Sequence, residues 1–433
     1  MKKAFILIFA IITVMSGCSN ENNDEEGNTV QQPLSGEWNG SIEIPNQPLP
    51  FIIEFDQGEE LTGNISIPVQ GLQNYPLSTI KLEDNELLFT MEMQGEYITF
   101  DGKVEEDTIS GTFKQHGQTF PFQLNKIDAV ASDEEEADFL QVETERGTLY
   151  GQLETPEGDG PFPVVIIIPG SGPTDRDGNS PGIPGKNNSL KLLAQGLAEN
   201  GIASLRYDKR GAGKNMQALV AEEDMRFEQF TADAVSWLKL LNEDDAYTNV
   251  GIIGHSQGSL TGMLASQESE VNAFVSIAGA GNSIDEVLAD QLSEEFSGEI
   301  MEESEHILEQ LKEGNPVENV SQELYSVFRP SVQSFISSWM QYDPAEEIAK
   351  LDIPTFIVNG DNDLQVPVRE AELLSEAKPE AEFLLIEGMN HILKEAPEDR
   401  EGNLQTYSDP ELPLADGFMD GIVTFFAENE FID

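Results

Sequence analysis

Gly254-His255-Ser256-Gln257-Gly258 sets a serine between two glycines, after the apolar run NVGII and before the helix-forming run SLTGMLASQ. A strand, a sharp turn and a helix in that order force the serine backbone into strain and lift its hydroxyl into the open. Glycine two residues to either side lets strand and helix approach without a Cβ between them. The same turn aims the backbone N–H of Gln257, at the start of the helix, toward the place where an oxyanion would form. The chemistry this arrangement suits is nucleophilic acyl transfer through Ser256.

A serine hydroxyl is a poor nucleophile without a base, and histidine has the suitable pKa. The chain has four histidines. His116 falls in a turn, KQHGQ, of a different region and reads as surface, and His306 sits on the acidic helix MEESEHILEQL. His255 neighbours the serine on the turn and should point away from it. His391 remains, in FLLIEGMNHIL, just after a strand and therefore at the same carboxyl edge of a sheet as Ser256. A carboxylate is then needed to hold the imidazole tautomer. The segment PTFIVNGDNDLQVP supplies two, Asp361 and Asp363.

The elements that must position these groups alternate from Phe139 onward. Strands are expected at TLYGQLE, PVVIIIPG, IASLRYD, NVGIIGHS, AFVSIAG, PTFIVNG and EFLLIEG. Helices are expected at Leu190 to Asn200, Phe227 to Leu241, Ser259 to Gln267, Glu370 to Ala377 and Gly417 to Glu428. Such alternation marks a mostly parallel sheet covered on both faces. About seventy residues with helical periodicity and no strand follow Gly279, and an insertion there would form a lid above the sheet edge.

IVNGDNDLQVP resembles the G-x-x-D-x-x-V-P segment of α/β-hydrolases, whose acid is the third residue after the glycine. The resemblance selects Asp363 and leaves Asp361 to shape the loop. The order Ser256, Asp363, His391 is also the order of that fold. Pro169-Gly170-Ser171-Gly172 resembles the H-G-x-G of many esterases, with proline in place of histidine, which implies the backbone N–H of Ser171 as a second oxyanion donor. GPTDRDGNS and LRYDKRGAGKN resemble a branch of exported bacterial carboxylesterases that carry a β domain ahead of the hydrolase domain. Asn215 stands where that branch often has serine. Membership implies hydrolysis of short-chain esters under a helical cap, with no metal or organic cofactor. Asp208 and Arg210 of the same segment read as buried ion-pair residues bracing the loop.

The N-terminus reads as an export signal over residues 1–17: Lys2 and Lys3, an apolar run to Val14, then small residues up to Cys18. Its end, Met15-Ser16-Gly17-Cys18, resembles the lipobox of bacterial lipoproteins, with Met15 in place of the usual leucine, which implies a lipid on Cys18 and a membrane-anchored protein outside the cytoplasm. One cysteine excludes an internal disulfide and a zinc thiolate site. Residues 18–32 form a polar tether, residues 33–128 alternate in short runs as an antiparallel β domain, and residues 129–138 form an acidic linker. Trp38, Phe51, Phe55, Phe89, Phe113 and Phe122 are the expected core of the β domain. Residues 139–433 then make the hydrolase domain, with its cap at about 282–345.

Lysine plus arginine number 23 against 80 acidic residues, a net charge of −57, which excludes nucleic acid as a ligand. The reading is therefore a serine carboxylesterase acting on a small-molecule ester through an acyl-enzyme. Its rivals are a peptidase or acyltransferase using the same residues, and an envelope-binding lipoprotein with an idle hydrolase domain.

Overall fold

The computed structural model describes residues 34–432, apart from 45–48, 58–60, 68–71, 84, 94–95, 106, 116–117, 128–138 and 181–185. The expected leader, Cys18, the tether, the linker and His116 lie outside the described residues.

The first nine strands are short, and in most of them apolar residues alternate with polar ones. They are β1 (Gly36–Ile42), β2 (Leu49–Gln57), β3 (Leu61–Ile67), β4 (Leu72–Pro76) and β5 (Thr79–Glu83). Then come β6 (Glu86–Met93), β7 (Glu96–Glu105), β8 (Thr108–Gln115) and β9 (Gln118–Ile127). They form one antiparallel sheet in the order β4-β3-β2-β1-β9-β8-β7-β6-β5. Alternation sends Trp38, Phe51, Phe55, Phe89, Phe113 and Phe122 to one buried face, where Phe100 joins them. The Phe89 and Phe100 rings stack at 4.5 Å, and Phe122 meets Phe100 edge-on at 5.4 Å, so aromatic packing supplies this core without any ligand.

The second sheet runs β10 (Phe139–Thr144), β11 (Gly147–Glu154), β12 (Phe162–Ile168) and β13 (Ala203–Tyr207). It continues with β14 (Tyr247–His255), β15 (Ala273–Ile277), β16 (Thr355–Gly360) and β17 (Glu382–Ile386). Their spatial order is β10-β11-β13-β12-β14-β15-β16-β17. From β13 across to β17 each neighbouring pair is parallel, and β10 and β11 are antiparallel additions at one edge. Strands β13, β15 and β16 are buried at every residue because both faces of the sheet are covered, and β15 and β16 are accordingly rich in Val, Ile and Phe.

Helices α1 (Ser189–Glu199), α2 (Phe227–Asn242) and α3 (Gln257–Glu268) alternate with the early strands. On one face Leu190, Leu193 and Leu197 of α1 pack with Phe418, Ile422 and Phe425. On the other, Trp237 and Leu238 of α2 pack with Met263 and Leu264 of α3. Between β15 and β16 the chain passes through α4 (Ile284–Glu295), α5 (Glu299–Lys312), α6 (Tyr325–Phe328), α7 (Pro330–Trp339) and α8 (Pro344–Ile348). Their apolar faces make a small core of their own around Ile307, Leu311, Phe328 and Ile336, which is why this insertion folds as a cap. Helices α9 (Val368–Ala377), α10 (Arg400–Gln405) and α11 (Phe418–Glu428) complete the chain. The fold is thus the expected α/β-hydrolase arrangement with a helical cap, preceded by an antiparallel β sheet.

Candidate active site

Strand order reverses between β12 and β14, and ligands of open α/β sheets bind at the carboxyl ends of strands beside such a reversal. Ser256 follows β14 there, with φ 54° and ψ −121°. That left-handed backbone is costly for a residue with a side chain, and packing on both sides sustains it. A Cβ on Gly258 would lie 2.2 Å from the Ile168 carbonyl oxygen, and one on Gly254 would lie 2.3 Å from the Gly258 oxygen. The two glycines are therefore required by the close approach of β12, β14 and α3. Gln257 is the first residue of α3, where backbone N–H groups have no intrahelical acceptor and the helix dipole favours negative charge.

The loop after β12 lies against this turn. A Cβ on Gly170 would sit 3.3 Å from the Ser256 Cβ, so the Gly170-Ser171 peptide borders the nucleophile candidate directly. Ser171 is exposed, and its carbonyl accepts the Thr174 hydroxyl at 2.8 Å.

On the other flank, Asp363 and His391 come together from the ends of β16 and β17. His391 Nδ1 lies 2.8 Å from Asp363 Oδ2. The second carboxylate oxygen of Asp363 accepts the backbone N–H of Gln365 at 2.7 Å and of Val366 at 2.9 Å. Two amides thus hold the carboxylate so that its remaining oxygen faces the ring. Asp361 turns elsewhere: its Oδ1 accepts the Gly388 N–H at 2.6 Å and ties the two loops together.

His255 takes part in a way the sequence reading did not find. It does not simply turn away from the site. Its ring centroid is 4.8 Å from that of His391, and its Nε2 donates to the His391 carbonyl at 2.8 Å. Burial and the neighbouring His391 push its pKa down to about 4, so it is a neutral donor at pH 7. The signal lay in the motif itself, at a position any residue can occupy, and only a contact 136 residues away gives it meaning. His306 is exposed on α5, away from these groups. Hydrogen bonds among the described residues include none from the Ser256 hydroxyl.

Asp208 and Arg210 are both in buried ion pairs, though not with each other. Asp208 holds Arg176 at 3.0 Å, and Arg210 holds Asp233 at 2.5 Å. Asn215 is fully buried and ties β11 to the segment after β13: it accepts from Tyr150 N at 2.7 Å and donates to the Asp208 carbonyl at 2.6 Å.

A cavity of about 1230 Å³ opens beside Gly172 and Gln257. Phe230 of α2 and Val332 and Phe335 of α7 give it an apolar wall. Ser41, Ser110 and Gln123 on the outer face of the first sheet give it a polar one. Among the described residues no group of three or more His, Cys, Asp or Glu side chains is placed to hold a metal ion.

A family described as serine aminopeptidase, S33 (Hydrolase_4) matches residues 181–397. The chain is 29% identical over 253 residues to Esterase EstD of Thermotoga maritima, across 57% of this chain and 58% of that protein's length. Among solved structures it resembles Est1E from Butyrivibrio proteoclasticus, with 19% identity, 67% of this chain and 98% of that one covered, and a TM-score of 0.46. The esterase domain of a Rhodothermus marinus protein is similar at 15% identity, with 68% and 98% covered and a TM-score of 0.43.

Proposed function

Because the chain belongs to the serine aminopeptidase S33 family of α/β-hydrolases, we propose that it is a serine carboxylesterase acting on short-chain esters through Ser256, His391 and Asp363. The observation that carries this reading is the 2.8 Å pair between His391 and an Asp363 locked by two amides, emerging at the same sheet edge as a strained serine.

With Nδ1–H donated to Asp363, the Nε2 of His391 is left to accept a proton. Ser256 Oγ attacks the ester carbonyl carbon as its proton passes to Nε2. The carbonyl oxygen becomes an oxyanion, which the N–H groups of Ser171 and Gln257 stabilise. Collapse breaks the bond to the alcohol oxygen, which leaves with the proton from His391. A water then repeats the sequence on the acyl-serine and frees the acid. The serine–imidazole hydrogen bond belongs to the substrate complex, where such contacts tighten.

Ester rather than peptide is favoured by the charges beside the cavity. An aminopeptidase needs a carboxylate for the substrate's ammonium. Of the carboxylates lining the cavity, Glu222 is engaged by Arg329 and Ser331, Asp175 accepts the amides of Asp177 and Asn179, and Glu43 accepts the Ser41 hydroxyl. The name of the Thermotoga relative points the same way. A short acyl chain does not fill 1230 Å³, so the remaining space is assigned to the alcohol portion.

The test is a panel of p-nitrophenyl esters of rising acyl length beside aminoacyl p-nitroanilides. Acetate and butyrate esters should give the highest kcat/KM, and anilides no turnover above Ser256→Ala. Faster anilide cleavage would make the protein a peptidase, and activity unchanged in Ser256→Ala would remove the mechanism.

We also propose that residues 1–17 direct export and that a lipid on Cys18 anchors the protein outside the cytoplasmic membrane. Metabolic labelling with an alkyne fatty acid should mark wild type and spare Cys18→Ala. Equal labelling of both would refute the anchor.

A further inference from the structure

Lys209 stands just past the end of β13, only 5% exposed, and has no direct carboxylate partner among the described residues. Its Nζ donates to the Gly170 carbonyl at 2.9 Å and to Gln257 Oε1 at 2.6 Å, and it lies 4.2 Å from the centre of the Phe230 ring. Asp233, the nearby carboxylate that favours its charge, is held by Arg210. Burying an ammonium without a counter-ion costs several kcal/mol, and an apolar side chain of the same length avoids that cost.

From this geometry we infer that Lys209 is a positioning residue of the oxyanion hole, gripping the Gly170-Ser171 peptide and the side chain of Gln257. The inference rests on the acyl-transfer reading of Ser256. Its physical content lies in the peptide between Gly170 and Ser171. The carbonyl that Lys209 binds and the N–H of Ser171 belong to one planar trans unit and point in opposite directions. A cation on the oxygen fixes the plane and draws electron density from the nitrogen, which strengthens that N–H as a donor to a developing negative charge. The same ammonium holds the side chain of Gln257, the residue that contributes the other N–H. The two segments it joins lie 39 and 48 residues away along the chain, so one side chain adds a polar tie between two pieces of chain that already pack against each other.

Burial pulls the pKa of Lys209 down to about 7, so the cation is held at some cost in the free protein. An oxyanion formed beside it offsets that cost. The lysine is therefore worth more in the transition state than in the ground state, which is the condition for raising kcat rather than binding.

The experiment compares wild type, Lys209→Met and Lys209→Gln on an acetate ester, with rates normalised to sites titrated by a fluorophosphonate. Ser256→Ala runs alongside, and its residual activity reports separately on the acyl-transfer reading. Lys209→Met should lower kcat at least about 10-fold with KM within about twofold of wild type, and weaken inhibition by a boronic acid by a similar factor. Lys209→Gln, which can still donate but carries no charge, should fall between the two and covers the case of a poorly folded Met variant. Normalised kcat and boronic-acid affinity both within about twofold of wild type in either folded variant, or a change in KM alone, would overturn the inference.

Discussion

Asp363 presents one carboxylate oxygen to His391 at 2.8 Å while its other oxygen is fixed by the amides of Gln365 and Val366. The Asp363 side chain is fully buried, so no water competes for the imidazole N–H. Asp361, two residues earlier, instead closes the turn through Gly388. Asp363→Asn should therefore keep the fold and lower kcat by about 10³ to 10⁴, because an amide can leave the imidazole in the wrong tautomer. Asp361→Asn should lower thermal stability and keep kcat within about tenfold of wild type. Normalised kcat for both variants decides it, and equal losses would contradict the division of labour.

Burial beside His391 makes the His255 ring resist protonation in the folded protein, although its Nε2–H donates to the His391 carbonyl in either state. Its folded pKa, about 4, lies below the unfolded value of about 6.5. Between those values the unfolded chain binds a proton that the folded chain refuses, so this contribution is present above pH 6.5 and is lost as pH falls through 4. Full titration corresponds to about 3 kcal/mol. Asp175 and Asp233, raised to about 6 chiefly by burial, act in the opposite sense between about pH 4 and 6, because the folded chain takes up their protons first. The difference between wild type and His255→Asn isolates the histidine. Denaturant unfolding from pH 7 to 4.5 should show the variant gaining on wild type as pH falls, and a constant difference would rule the effect out.

Gly258→Ala introduces a methyl group 2.2 Å from the Ile168 carbonyl, where only backbone surrounds it. Neither β12 nor α3 can yield without moving the nucleophile turn. A loss of more than about 3 kcal/mol, or failure to fold, is expected in thermal or denaturant unfolding. A loss below about 1 kcal/mol would mean that the turn has room for a methyl group.

Most of the hydrolase sheet was legible because its strands are continuous apolar runs, PVVIII and TFIVNG among them, broken by glycine and separated by helices of clear period. Three strands escaped notice. FLQVET (β10) follows an acidic stretch and joins the sheet at its antiparallel edge. In the first domain SIEI, FIIEF, GNISI, LLFTMEM, YITFDGKV, TISGTF and FPFQL stand out as alternating runs, whereas LQNYP (β4) and TIKLE (β5) do not, being edge strands, short and polar because one side of each has no neighbour. Ser256 is expected from its glycine-flanked turn after a strand, His391 from its place just past the last strand, and Asp363, rather than Asp361, from the resemblance to the G-x-x-D-x-x-V-P segment. The contacts of His255 and Lys209 could not be read in this way, since their partners are backbone carbonyls and an amide brought near only by tertiary packing.

The central claim, that Ser256 is the nucleophile, is tested most directly by fluorophosphonate labelling followed by mass analysis of the peptides. The account predicts one label per chain, on Ser256, abolished in Ser256→Ala and slowed strongly in His391→Ala. A label on another residue, or an enzyme that hydrolyses esters while Ser256 stays unmodified, would contradict it.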